Sequence, residues 1–105
     1  MKYYYSEVDN IVLTHSDMEI SPFGRFVRVY FERSNNSGFD FAEGSLPECE
    51  FNKSYGFSED EIFSLQRYLR NNSPLIWEYA QKGGGESLLK KNSGDYLDNE
   101  EKKIA

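Results

Sequence analysis

The sequence predicts an α+β fold: an antiparallel β-meander of three to four strands, then a two-helix hairpin, then a C-terminal tail. Three observations carry this expectation. Apolar and polar residues alternate with a period of two between residues 10 and 52. At Ser58-Glu59-Asp60-Glu61 a helix start signal takes over, and apolar residues then recur at helical spacing. Gly83-Gly84-Gly85 finally breaks the chain into residues 1–82, a single domain, and residues 83–105, a Gly-hinged tail.

Asn10-Ile11-Val12-Leu13-Thr14 is short and β-branched, and the turn formers His15-Ser16-Asp17 end it. The longest strand runs from Arg25 to Arg33. Its alternation places Phe26, Arg28, Tyr30 and Glu32 on one face, and Val27, Val29 and Phe31 on the other. Apolar groups on both faces imply a central strand whose second face is partly covered. Ser34-Asn35-Asn36-Ser37-Gly38 has the composition of a hairpin turn and leads into Phe39-Asp40-Phe41. A further strand is expected over Pro47–Asn52, with Cys49 and Phe51 inward and Glu48, Glu50 and Asn52 outward.

Ser58 and Glu61 have the spacing of a capping box, and Phe57 and Ile62 that of a hydrophobic staple around it. Ile62, Leu65 and Leu69 form one stripe. Asn71-Asn72 is expected to end this helix, and Ser73-Pro74 to start a second one that runs to Gly83. In the tail, residues 87–91 and the set Tyr96, Leu97, Ile104 are weakly helical. A tail of this kind could cover the protein's own surface or join two copies as a homodimer.

Composition bounds the partner classes. Twelve Lys and Arg meet eighteen Asp and Glu, for a net charge of −6. The excess lies in the domain, where seven bases face thirteen acids up to Gln81, while five of each cancel in the rest. That balance argues against direct binding to nucleic acid, which needs a basic face, and favours a basic-surfaced protein partner. Seventeen aromatic residues exclude a disordered chain and are expected mainly in the core rather than stacked on bases. With no apolar run of spanning length, no signal-like segment and one cysteine, the expected setting is cytoplasmic, without membrane or disulfide.

No catalytic signature is present. His15, the only histidine, is expected as an ordinary turn residue. Cys49 is expected as a buried strand residue whose thiol Glu48 and Glu50 hold protonated. One Cys and one His make no zinc site of the usual spacing, the triple glycine lacks a P-loop Lys-Ser/Thr, and no cofactor is expected. The carboxylates carry the remaining signal. Asp40, Glu43, Glu48, Glu50, Glu59, Asp60 and Glu61 are offset only by Lys53. The expected contact surface is Asp40, Glu43, Glu48 and Glu50, against a plain solvated face as the simpler account.

Tyr55-Gly56-Phe57-Ser58-Glu59-Asp60-Glu61-Ile62, then Asn71-Asn72, then Trp77-Glu78-Tyr79, resembles a family of short bacterial domains of unknown function. That family has a Gly-Phe-Ser helix start, a C-terminal Trp and a His-Pro-Pro-His turn. Arg28-Val29-Tyr30-Phe31 and Gly44 fall where the family has its Tyr-Phe strand and following glycine. The resemblance covers residues 24–82 and implies a toxin–antitoxin-type setting, because members often lie beside an antitoxin-like gene. Where the family has its His-Pro-Pro-His turn, this chain reads Ser34-Asn35-Asn36-Ser37-Gly38-Phe39-Asp40, so any chemistry of that motif is not carried over.

The expected function is therefore a non-catalytic inhibitor or neutraliser that docks on a basic, nucleic-acid-handling protein such as a nuclease. Antitoxins and phage-encoded inhibitors, anti-CRISPR proteins among them, share this small acidic build. Two alternatives come from other classes: a metal-dependent nuclease-like enzyme using the sheet carboxylates, and an accessory oligomerisation domain.

Overall fold

The computed structural model describes residues 1–83. It corrects the expected architecture: the chain forms a six-stranded antiparallel sheet with a single long helix, not a three- to four-stranded meander with a two-helix hairpin. The strands are β1 (Tyr3–Val8), β2 (Ile11–His15), β3 (Glu19–Ser21), β4 (Gly24–Asn35), β5 (Gly38–Leu46) and β6 (Glu50–Tyr55), followed by α1 (Glu59–Gln81). The sheet order is β1-β2-β4-β5-β6, with β3 paired to the first residues of β4. The order of a sheet region followed by a helical region stands. The expectations for residues 84–105, including the dimerising tail, lie outside the described residues.

Two strands were not legible. β1 carries a bulge between Tyr4 and Ser6 that breaks its alternation. Tyr5 and Ser6 both hydrogen-bond the helix as a result: Tyr5 Oη donates to Asn72 Oδ1 at 2.7 Å, and the Ser6 and Tyr68 hydroxyls meet at 2.9 Å. The β1–β2 connection is Asp9-Asn10, both left-handed at φ 53° and 67°, the backbone a type I′ hairpin needs. β3 is only three residues long and follows a stretch dominated by turn formers.

The expected strand over Pro47–Asn52 begins late. Pro47-Glu48-Cys49 is a turn, Cys49 has φ 61°, and its N–H donates to Ser45 O at 2.8 Å. Proline cannot donate into a ladder, so pairing with β5 resumes only at Glu50. A bulge at Asn52 then carries β6 across Gly44, where any Cβ would run into the Glu50 carbonyl. Glycine is required there by close approach, not by its own dihedrals.

The helix continues through the expected stop at Asn71-Asn72-Ser73-Pro74 because side chains take up the freed backbone groups. Pro74 has no N–H for the Arg70 carbonyl, and Ser73 Oγ donates to that oxygen instead at 3.2 Å. Asn72 Nδ2 donates to Tyr68 O at 2.8 Å while its Oδ1 receives Tyr5. The capping box is present as expected: Glu61 N–H donates to Ser58 Oγ at 3.1 Å, and Ser58 N–H donates to Glu61 Oε1 at 2.9 Å.

The core lies between the helix and one face of the sheet. Leu13, Val27, Val29, Phe31, Ala42 and Leu46 from the strands meet Leu65, Leu69, Ile76 and Ala80 from α1. The face assignment of β4 holds, with Val27, Val29 and Phe31 buried under the helix. The other face of the sheet, including Phe26, Arg28, Tyr30 and Glu32, has no element of the described residues packed over it.

Candidate functional site

Strand register lays out the uncovered face as rows. Opposite residues in paired strands point the same way, so each row can be followed across the sheet. One row reads Tyr4, Thr14, Tyr30, Glu43, Lys53, and the next reads Glu7, Val12, Glu32, Phe41, Tyr55. A third holds Arg28, Ser45 and Glu50. Carboxylates and aromatic rings therefore interleave across five strands. Tyr4 and Tyr55 are more than half exposed, and the Phe41 and Tyr55 rings stack with centroids 6.2 Å apart. Between Phe26, Tyr30 and Glu43 the surface dips into a depression of about 310 Å³.

Cations already sit on this face. Lys2 Nζ lies 4.2 Å from the centre of the Tyr30 ring and 3.4 Å from Glu32 Oε2. Arg28 lies 5.7 Å from the Phe26 ring centre and 3.3 Å from Glu19 Oε2. Lys53 stands 4.0 Å from Glu43 Oε1. Each pairs a side-chain cation with a carboxylate, and two of them add a ring face, which attracts positive charge through its quadrupole. Thr14 is enclosed between its neighbours, and its Oγ1 has no hydrogen-bond partner among the described residues, a state that costs about 1–3 kcal/mol for a buried hydroxyl.

The four residues of the expected contact surface are placed differently from one another. Glu43 and Glu50 lie on the uncovered face, and Glu48 is exposed in the turn that borders it. Asp40 is on the opposite side, under the start of the helix and 8% exposed. Its carboxylate receives Arg33 Nε at 2.8 Å and Asn35 Nδ2 at 2.6 Å. Gly56, at φ 91°, passes so close that a Cβ there would meet the Asp40 carboxylate. Arg33 also donates to Glu61 Oε2 at 2.8 Å and lies 4.7 Å from the Phe57 ring centre. Hydrogen bonds from Arg33, and then from the Ser58 backbone, hold the Glu61 carboxyl down at about 2. Asp40 and Glu61 thus fasten the helix N-terminus to the β4–β5 hairpin, while Glu59 and Asp60 in the same turn remain exposed.

His15 is not a turn residue. It ends β2 fully buried, its Nδ1 donates to Ser16 O at 2.9 Å, and its Nε2 has no partner among the described residues. Burial pushes its pKa down. Cys49 is buried as expected, although in a turn. Burial is the first cause that pushes its thiol up; Glu48 adds to it, while Ser73 and Arg70 oppose it. Among the described residues, no three His, Cys, Asp or Glu side chains come together as a possible metal-ligand set. No helix among them is long and apolar enough to cross a membrane.

Sequence reasoning placed Tyr30 and Glu32 on this face but read it as partly covered, and it missed Tyr4, Phe41 and Tyr55 because it assigned the aromatic rings mainly to the core. The signal was present in β4, where Phe26 and Tyr30 fall on the parity opposite to Val27, Val29 and Phe31. No protein-family model, curated protein or solved structure matches this chain, so the resemblance to the short bacterial domains rests on the quoted motifs alone.

Proposed function

We propose that this protein is a small acidic binding protein that lays its uncovered sheet face on a basic, nucleic-acid-handling protein and blocks it, in the manner of an antitoxin or a phage-encoded inhibitor. The observation that carries the reading is the interleaving of Glu7, Glu32, Glu43 and Glu50 with Tyr4, Tyr30, Phe41 and Tyr55 on one face. Carboxylates steer a basic surface in and set its register, and rings supply contact area at small entropic cost. A nucleic-acid groove presents the complementary chemistry, namely Lys and Arg arrayed to meet phosphates. The net charge of −6 adds long-range attraction to the same class of partner.

The test is capture from bacterial lysate with wild type beside a Glu48→Lys, Glu50→Lys double variant, at low and moderate salt. The expected result is a basic nucleic-acid-handling protein retained by wild type and lost from the variant. Equal capture by both, or capture only of acidic proteins, contradicts the reading.

A further inference from the structure

Lys2 occupies a position on the uncovered face that a partner's side chain is better built to fill. Its ammonium is held by the Tyr30 ring at 4.2 Å and by Glu32 at 3.4 Å, yet Lys2 remains about half exposed. Tyr30 and Glu32 are two residues apart on the central strand β4, paired on both sides, so their spacing is fixed by the sheet. Lys2 precedes the first strand, and its side chain makes both of these contacts.

We propose that Tyr30 and Glu32 form a subsite for one arginine of the basic partner, and that Lys2 is its placeholder in the free protein. The inference rests on the binding reading above and names the chemistry at its centre. A guanidinium is flat, so it can lie on the Tyr30 ring while its edge meets the Glu32 carboxylate with two parallel N–H donors. Its further N–H groups stay at the surface, free for water or the partner's own acceptors. An ammonium is a compact, strongly hydrated point charge and satisfies the ring and the carboxylate alone. Exchange of Lys2 for arginine therefore adds hydrogen bonds without adding buried charge of either sign, which is how a placeholder confers selectivity rather than bulk attraction.

The test uses the full chain, with nona-arginine and nona-lysine peptides as probes, and follows backbone and side-chain NMR shifts. The subsite predicts shifts centred on Lys2, Tyr30 and Glu32, and tighter binding of nona-arginine by about two- to fivefold. Lys2→Met should tighten nona-arginine binding by about 1.5- to fivefold, the size of a surface ion pair. Lys82→Met serves as its control, because Lys82 also pairs a carboxylate, Glu78 at 2.9 Å, but on the helix. Tyr30→Leu should erase the preference for arginine while its urea midpoint shows that it is folded. Equal effects of Lys2→Met and Lys82→Met, or an arginine preference that survives Tyr30→Leu, overturn the subsite. Shifts confined to Glu43 and Glu50 reject the subsite and leave the binding face standing. Shifts on the outer surface of α1, or no binding of either peptide, reject both.

Discussion

The two faces of the sheet are built from the same strands and spend their residues in opposite ways. Under the helix, Val27, Val29, Ala42 and Leu46 are completely buried, and the one carboxylate, Asp40, is matched by Arg33 and Asn35. On the other side, rings and carboxylates alternate, several are more than half exposed, and a threonine hydroxyl goes unpaired among the described residues. The first arrangement serves stability through burial, whereas the second contributes only exposed cross-strand pairs such as Phe41–Tyr55 and Lys53–Glu43. A strand residue exposed for no other reason is usually polar, so an uncovered face holding Tyr4, Tyr30, Phe41 and Tyr55 is the feature on which the proposed binding role rests.

Substitutions should separate the two faces by size of effect. Leu69, fully buried in the helix, should cost about 2–5 kcal/mol when changed to alanine, read as a drop in the urea midpoint. A loss below 1 kcal/mol would mean that the helix is not essential to the core. Ser58→Ala should cost about 1 kcal/mol, since it removes the acceptor for the Glu61 N–H but leaves the Arg33–Glu61 pair in place.

The pH dependence should come wholly from the covered side. His15 is neutral and buried, with its pKa below the ordinary 6.5. The unfolded chain then binds the extra proton first, so stability is present above 6.5 and is lost as pH falls below it. Glu61, held at about 2 against an ordinary 4.5, adds a second loss as pH falls from 4.5 towards 2. Urea unfolding across pH should show both windows. Glu61→Gln should flatten the lower one alone, and a profile that stays level from 7 to 2 would contradict both assignments.

The smallest effect on stability and the largest on binding belong to the uncovered side. Glu48→Lys with Glu50→Lys should leave unfolding within about 0.5 kcal/mol of wild type. The same pair should slow association with a captured partner about tenfold at low salt, with the gap closing as salt rises.

How far the sequence could be read follows the same division. The capping box, the stripe of Ile62, Leu65 and Leu69, and the face of β4 that meets the helix were legible, because each is a local pattern written in consecutive residues. The end of the helix was not. Asn72, Ser73 and Pro74 are stop signals by local chemistry, and they fail here because Ser73 takes the Arg70 carbonyl and Asn72 takes Tyr5 from β1. β1 was hidden by its bulge, and the turn at Pro47–Cys49 by an alternation that continues through it. Of the candidate site, Glu43, Glu48 and Glu50 were visible as charges. The alternation of β4 placed Tyr30 on this face, but Tyr4, Phe41 and Tyr55 were not visible, since composition counts an aromatic residue without saying which side of a strand it leaves. Asp40 was grouped with the others by proximity in sequence, and one residue of strand parity puts it on the far side.

The most direct test of the division between the faces is amide hydrogen exchange of the full chain, free and bound to a partner captured from lysate. Strand amides reflect binding over either face, so it is read together with side-chain footprinting of Tyr4, Tyr30, Phe41 and Tyr55 against Phe63 on the outside of α1. The account predicts protection of the four sheet rings, slower exchange in β2, β4 and β5, and an unchanged Phe63. Protection of Phe63 and the first turn of α1, with the sheet rings as reactive as in the free protein, would contradict it.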